Sequence, residues 1–576
     1  MSNLKGEHIS FIPSNAFNHW NDAFVQSIQT PYAGSEYRER VETLVNEVKM
    51  LLRELQSGDN DLIERLEMVD ALQCLGIDRY FQAEITEALD YVFRVWDGSV
   101  GIGLGCESGR TNLNATALGL RLLRLRRYHV SADALKNFKD SNGHFIICGV
   151  NNDEGGKNTR EEHLMRSMLN LLRVSSVAYS GEVLMEEAKV FSTEYLKRLL
   201  ENSGDTYKKS SLKEVEYALV YEWPRTFTRW EAWNFIEIYE LDNQRLKDKR
   251  ILELAKLDFN VLQFQYKLEM KKISSWWVDS GISKLVAIRE RSIEYLFWAV
   301  SSADEVELSS SRLVMAKATS IITIMDDIFD DYATLEQLKC ITEAIAQGWD
   351  VSIIKDIPSN LKTCIEFVFK TVLELASDAT EKQGRDMMPF VTKAWVDYGE
   401  ACFEQARWKI NGYFPTFNEY MKFAELSVAF GPILLHTTLL ASRILCDDDI
   451  EKIYLDRSRF YQLMRVCMRL IDDIHDFEDE KLHGKTASAI SCYMGDHLNC
   501  SEGEALNHIM KLNNESLKEL TREFLKPDNV MFDWEKICVN STRGVQFFYI
   551  FGDGFTYCQK EIKSQIFKVF VDPIEV

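Results

Sequence analysis

Apolar residues recur at three- and four-residue steps along most of the chain, the spacing of helices with one buried face. Over residues 36–73, Val41, Leu44, Val45, Val48, Leu51 and Leu52 keep that rhythm, and Asp59-Asn60-Asp61 opens a further helix with Leu62, Leu66 and Val69 on one face. The same spacing predicts helices over 115–125, 159–174, 181–200 and 212–221, with a polar loop over 151–156. Residues 1 to about 30 show no clear period and read as an extended arm. The pattern weakens between Pro224 and Lys249, and the polar run over 242–250 sets an expected domain boundary near residue 245. Longer, more apolar helices are predicted beyond it, over 251–268, 284–302, 311–325, 361–375, 390–408, 418–445, 457–471 and 542–551. The expected fold is all-α, with two helical domains over 1–245 and 246–576. No repeat of solenoid length is evident, and the N-terminal half gathers no convergent chemistry.

Composition sharpens this picture in a few places. Nine prolines and 28 glycines in 576 residues are few, which agrees with helices and short turns. The net charge of −22 argues against nucleic acid or an anionic membrane as the main partner. The twelve cysteines stand singly, without CxxC pairs, the usage of a reducing compartment. The first residues lack an apolar signal core and an Arg- and Ser-rich transit segment, so the cytoplasm is the expected location. Residues 426–442 carry no formal charge, yet Gly431-Pro432 interrupts them, which predicts a buried, kinked core helix and no integral membrane segment. Gly101-Ile102-Gly103-Leu104-Gly105-Cys106 lacks the third glycine of a dinucleotide fingerprint and reads as a loop.

Two acidic stretches carry the candidate chemistry, Asp326-Asp327-Ile328-Phe329-Asp330 and Asp472-Asp473-Ile474-His475-Asp476, the second continuing to Glu480. Each follows an apolar run. On helices, Asp326 and Asp330 would be one turn apart, and Asp472, Asp476 and Glu480 would form a ladder along one face. Carboxylates stacked in this way repel one another, which calls for a cation. Oxygen ligands without His or Cys at ligand spacing favour Mg²⁺, with Mn²⁺ possible, and Mg²⁺ is commonly shared between carboxylates and substrate phosphates. Arg289 and Arg291 precede the first stretch, and Arg469 lies three residues before Asp472, so guanidinium groups stand ready for a diphosphate. The same half is dense in aromatics, including Trp298, Phe430, Phe548 and Phe555. Metals, arginines and an apolar aromatic pocket together suit ionisation of an allylic diphosphate and steering of the carbocation.

Further stretches make a family resemblance specific. These are Leu75-Gly76-Ile77-Asp78-Arg79-Tyr80-Phe81, Leu113-Asn114-Ala115-Thr116-Ala117-Leu118-Gly119, Ala255-Lys256-Leu257-Asp258-Phe259-Asn260, Pro415-Thr416-Phe417-Asn418-Glu419-Tyr420 and Cys492-Tyr493-Met494. With the acidic stretches, they make the chain resemble plant class I terpene synthases over essentially its whole length, most of all the conifer-type sesquiterpene synthases. The resemblance implies that Asp326, Asp327 and Asp330 bind two Mg²⁺ and that Asp472, Asp476 and Glu480 bind a third. Asp476 departs from that second motif, where Ser, Thr or Gly is usual, which implies an altered Mg²⁺/Mn²⁺ preference. Arg289, Arg291 and Arg469 match the diphosphate-binding arginines, Trp298 a cavity-floor aromatic, and Asp553 the acid near a mobile loop. The break at Ala429-Phe430-Gly431 matches a kinked helix that shapes the cavity. Phe548 and Phe555 stand where some relatives carry tyrosines, which argues against a tyrosine-assisted proton step.

The family often has an arginine pair ten residues before an N-terminal tryptophan. With Trp20 as that tryptophan, Ser10 and Phe11 take the pair's places. The pair accompanies monoterpene formation from geranyl diphosphate, so its absence favours farnesyl diphosphate and a sesquiterpene product. A silent N-terminal domain, an arm over the active site and a monomer are expected. A DxDD acid motif is absent from the sequence. Three alternatives remain at this point: a synthase using geranyl or geranylgeranyl diphosphate, a trans-prenyltransferase, and a non-enzymatic helical-repeat binding protein.

Overall fold

The computed structural model describes residues 20–29, 31–57, 62–102, 112–145, 157–202, 207–242, 245–246, 248–285, 288–441, 444–450, 458–482, 487–526, 532–557 and 559–576, with backbone alone at 55–57, 157–159, 479–482 and 532–533. Among these residues the regular structure is helical, and the sole β pairings are isolated bridges between Asp97 and Gly101 and between Lys139 and Phe145. The all-α expectation holds. The predicted loop at 151–156, the helix start at 59–61, residues 103–106 and the leading residues 1–19 lie outside the described residues.

The N-terminal half runs α1 (Asp22–Ser27), α2 (Ser35–Ser57), α3 (Leu62–Cys74), α4 (Gln82–Val95), α5 (Leu113–Leu125), α6 (Lys157–Ser175), α7 (Val183–Asn202), α8 (Lys209–Val220) and α9 (Thr228–Leu241). Its centre is α5. Asn112 caps that helix by accepting the Ala115 N–H at 3.2 Å, and every residue over 113–124 is buried. A helix apolar all round belongs inside a bundle, and α3, α4 and α6 pack around it. Periodicity missed α9, since Pro224 precedes it and its polar residues Arg229 and Asn234 are buried along with its aromatics. The arm is helical at α1, where Asn21 accepts the Ala23 N–H, and is not extended throughout.

The C-terminal half begins with α10 (Lys249–Ser280), which Asp248 caps and Gly281 ends at φ +67°. It continues through α11 (Ser292–Ser302), α12 (Ser309–Asp327), α13 (Leu335–Ala346), α14 (Ser359–Gln383), α15 (Met388–Asn411), α16 (Phe417–Ser427) and α17 (Phe430–Leu439). The last elements are α18 (Asp447–Ile450), α19 (Arg459–Leu482), α20 (Ala489–Asp496), α21 (Glu502–Phe524), α22 (Phe532–Phe548) and α23 (Lys560–Ile566). Fully buried α11 packs against α10, α12 and α22. Gly544 permits the last contact, because a Cβ there would meet Ser301 Oγ at 2.0 Å and Trp298 Cδ1 at 2.8 Å.

Three expected helices differ in ways that shape the site. The helix predicted from 284 starts instead at Ser292, because the Arg289 backbone N–H is spent on Asp327. The helix predicted over 418–445 breaks where Ala429 takes φ +59°, and α17 restarts with Pro432 in its first turn, where no N–H is needed. After Asp327, α12 widens into a π-helical turn, Ile328–Tyr332, so the last residues of the first acidic stretch leave the α register. The second stretch stays helical, inside α19.

The halves are bolted together. Trp20 donates Nε1–H to buried Glu294 at 3.1 Å, Arg543 donates to the Trp223 carbonyl at 2.7 Å, and Arg229 pairs with Asp258 and Asp304. No helix among the described residues is long and apolar enough to cross a membrane.

Candidate active site

The first acidic stretch ends α12 against the extended segment that leads into α11. Arg289 gathers it: the backbone N–H and Nε reach the two oxygens of Asp327 at 3.0 and 2.6 Å, and Nη2 reaches Asp326 Oδ2 at 2.6 Å. Asp327 is 8% exposed, whereas Asp326 and Asp330 are half-buried at the surface of the site. Burial would lower the Arg289 guanidinium, but Asp327 and Asp326 hold it well above its usual value. Burial pushes the Asp327 carboxyl up against the pull of the same arginine. Both oxygens of Asp327 are thus engaged in fixing Arg289, while Asp326 and Asp330 face outward.

The second stretch has the same division of labour. Asp473 is 1% exposed and accepts from Tyr420 Oη at 2.8 and 3.0 Å, from the Ala489 N–H at 2.6 Å and from Arg469 Nη1 at 3.0 Å. It locks α19 to α16 and α20. Asp472, half-buried, accepts Arg469 Nη1 at 3.0 Å on one oxygen and Tyr549 Oη at 2.6 Å on the other. Asp476 is also half-buried, and the Glu480 side chain lies outside the described residues.

Residues 549–556 join the two stretches. Asp553, 4% exposed, accepts the N–H groups of Phe555 at 2.8 Å and Thr556 at 3.0 Å. Thr556 in turn receives Arg289 Nη1 on its hydroxyl at 3.3 Å and Arg291 Nη2 on its carbonyl at 3.1 Å. Burial raises the Tyr549 hydroxyl well above its usual value, with Asp472, Asp553 and Asp476 adding to the effect. Arg289 and Arg291 on one side, and Asp472 on the other, are therefore held by one short loop. Thr556 did not stand out in the sequence, and Tyr549 did so only as one of the many aromatics of this half. The legible signal was Asp553 three residues before Thr556, the spacing of a side-chain cap on backbone N–H groups.

An aromatic cage lies beside this mouth. Phe555 stacks on Phe548 with centroids 4.6 Å apart and meets Trp298 edge-on at 5.4 Å. Trp298 stacks on Phe430 at 6.2 Å and is oriented by its Nε1–H bond to the Ser541 carbonyl at 2.9 Å. The named aromatics Trp298, Phe430, Phe548 and Phe555 thus form one cluster, and Gly431 stands beside Phe430 at the helix break.

The donor set suits a hard divalent cation, since the side chains that face outward offer oxygen. Among the described residues, no three acidic, imidazole or thiol groups converge at ligand spacing. The geometry explains this: Arg289 and Arg469 each draw two carboxylates onto themselves.

Comparison with known proteins agrees with this geometry. Residues 19–219 match the family model "Terpene synthase, N-terminal domain", and residues 278–519 match "Terpene synthase family, metal binding domain". The chain is 44% identical to alpha-humulene synthase of Picea glauca, over 98% of each chain. It is 41% identical to longifolene synthase of Picea abies, over 98% of this chain and 97% of that one. It is 38% identical to the chloroplastic limonene synthase of Abies grandis, over 97% and 88%. The crystal structure of isoprene synthase from grey poplar leaves, in complex with three Mg²⁺ ions and dimethylallyl-S-thiolodiphosphate, superposes with a TM-score of 0.82 at 31% identity, covering 97% of this chain and 99% of that one. The chain belongs to the plant terpene synthase family and is a carbon–oxygen lyase acting on phosphates.

Proposed function

We propose that this terpene synthase is a sesquiterpene synthase that ionises farnesyl diphosphate at the mouth formed by the two acidic stretches. The observation that carries the reading is the 549–556 loop, which ties Arg289 and Arg291 to Asp472 directly beside the Trp298–Phe555 cage. The humulene and longifolene relatives support the C15 chain, and the limonene relative is the reason to test C10.

Asp326 and Asp330 on one side, and Asp472, Asp476 and Glu480 on the other, would hold Mg²⁺, three ions by analogy with the isoprene synthase complex. Asp327 takes a supporting role, because its oxygens position Arg289. A bound divalent cation supplies neutralisation of the diphosphate charge as the carbon–oxygen bond breaks. Arg289, Arg291 and Arg469 bind phosphate oxygens through paired N–H donors. Asp553 holds the loop that aims the first two. The π faces of Trp298, Phe430, Phe548 and Phe555 stabilise the allylic cation, and their packing excludes the water that would quench it early. The domain boundary proposed near residue 245 leaves the whole site in the C-terminal half, with the N-terminal half as its support.

Incubation with Mg²⁺ and the C10, C15 and C20 diphosphates, read by gas chromatography, tests the reading. A C15 hydrocarbon from farnesyl diphosphate as the main product supports it. Turnover of the C10 diphosphate alone overturns the chain length, and longer diphosphates formed with isopentenyl diphosphate overturn the reaction class.

A further inference from the structure

Tyr295 lies on α11 one turn after Arg291, whose carbonyl accepts its backbone N–H at 2.9 Å, and three residues before Trp298. Residues three apart on a helix share a face. Both rings accordingly meet Phe555, Trp298 edge-on at 5.4 Å and Tyr295 stacked at 25° with centroids 6.4 Å apart. Tyr295 is therefore a further wall of the aromatic cage, and on α11 it is the one nearer the mouth. At the rise of an α-helix it stands about 6 Å along the axis from Arg291, against about 10 Å for Trp298.

Across to α12, the phenol meets Thr323, with Oη and Oγ1 2.8 Å apart. Thr323 comes four residues before Asp327, so this contact also lies one turn inside the first acidic stretch. The direction of the hydrogen bond is fixed. The Thr323 hydroxyl spends its single proton on the Thr319 carbonyl at 3.0 Å, so the phenol has to donate. Tyr295 is 3% exposed, and burial raises its hydroxyl to about 12 against the pull of Arg289, so it stays protonated near neutral pH. Phenylalanine at this position would keep the ring but lose the tether that sets its tilt.

Resting on the reading that an allylic diphosphate ionises between Arg291 and Asp326, we propose that Tyr295 is a specificity-determining residue whose ring, held at one tilt by Thr323, receives the allylic cation as diphosphate departs. The pull of a ring face on a cation depends on their distance and angle. The tilt thus decides which end of the allylic cation is held close and which is left open to the rest of the chain. That choice biases the competing cyclisation and deprotonation routes. The phenol moves no proton, and ionisation stays with the carboxylates and arginines of the mouth.

The test compares wild type with Tyr295→Phe, Thr323→Val, Thr323→Ser and the Tyr295→Phe/Thr323→Val double variant, on whichever prenyl diphosphate the wild type consumes. Chain length and reaction class are settled first, and their outcome stays separate from the role of Tyr295. Tyr295→Phe and Thr323→Val are each expected to shift the ratio of the two most abundant products by about threefold or more, in the same direction, or to bring up the same new product. Diphosphate release should stay within about twofold of wild type in both. The double variant is expected to match the single ones, since either change cuts the same bond. Thr323→Ser retains the acceptor and is expected to keep the wild-type ratio. Wild-type ratios in Tyr295→Phe and Thr323→Val overturn the proposal even where their melting temperatures fall, because the bond would then hold only the fold. Opposite shifts in the two, or shifts that add in the double variant, also overturn it.

Discussion

The two halves of the molecule use the same charged side chains to opposite ends. In the N-terminal half, Asp70 is 8% exposed and lies between Arg121 at 2.5 Å and Arg173 at 2.8 Å. Burial alone would raise its carboxyl, but the two guanidinium groups hold it well below the usual range. Glu214, fully buried, receives Arg245 at 2.5 and 3.2 Å and is lowered likewise, with Arg166 and Arg173 nearby. Arginines there match or outnumber the acids, and the network is closed. At the mouth of the C-terminal half the balance is reversed. Asp326 and Asp327 share Arg289, and Asp472 and Asp473 share Arg469. Asp326, Asp330, Asp472 and Asp476, all half-buried, add further carboxylates around those two arginines. Saturated ion pairs build a scaffold, and an excess of one sign on that scaffold builds a site.

Removing a carboxylate should therefore have opposite consequences in the two halves. Asp326→Ala or Asp330→Ala is expected to lower turnover by three orders of magnitude or more, about 4 kcal/mol of barrier, with a melting temperature close to wild type. Steady-state diphosphate release and a thermal melt read both. Asp70→Ala leaves Arg121 and Arg173 buried without their partner and should cost about 3–5 kcal/mol of stability. The protein that remains folded should turn over normally. Urea unfolding alongside an active-site titration separates the two effects, and a loss of turnover without a loss of stability would erase the distinction.

The pH dependence should split along the same line. The folded-state value of Asp70 lies below its unfolded value of about 3.9. Its contribution is thus complete above that unfolded value and is lost as the pH falls toward the folded one. Glu290, between the two arginines of the mouth, is raised to about 7 by burial, with Glu294 adding and Trp277 and Arg291 opposing. A raised carboxyl binds its proton more tightly in the folded state, so stability declines as pH climbs from about 4.3 toward 7. Glu290→Gln should raise the melting temperature at pH 8 and leave it unchanged at pH 4. Equal effects at both values would contradict the burial of this group.

Smaller effects refine the picture. Asp476→Ser should leave an active enzyme whose Mg²⁺-to-Mn²⁺ activity ratio moves by several-fold, since the half-buried carboxylate at that position is lost. An unchanged ratio would remove Asp476 from the metal set. Ala429→Gly relieves a left-handed alanine worth about 1–2 kcal/mol, partly offset by the greater freedom of glycine in the unfolded chain. The net gain should be under about 1 kcal/mol by urea unfolding, and a loss would show that the alanine methyl has a packing role.

Much of this was legible in the sequence because it rests on local spacing. The three- and four-residue rhythm marked most helices, and the acidic pairs and nearby arginines marked the mouth. Other features depend on contacts distant in the chain. Asp327 reads like Asp326 until Arg289, 38 residues earlier, is seen to occupy both of its oxygens. Asp473 reads like Asp472 until Tyr420 and the Ala489 N–H close around it. The break near 430 was foreseeable from Gly431-Pro432, but its position at Ala429 was not, because alanine gives no hint of positive φ. Helix α9 escaped notice because its polar residues Arg229 and Asn234 are buried beside its aromatics, which blurs the amphipathic period.

The central claim is that Asp326 and Asp330 face Asp472 and Asp476 across one mouth and share their cations with one diphosphate. Crystals grown with Mn²⁺ and inorganic diphosphate, examined by anomalous diffraction, test it most directly. The expected map has manganese peaks on both acidic stretches, bridged by a single diphosphate that Arg289 or Arg469 contacts. Manganese on one stretch only, or a diphosphate bound away from both, would contradict it.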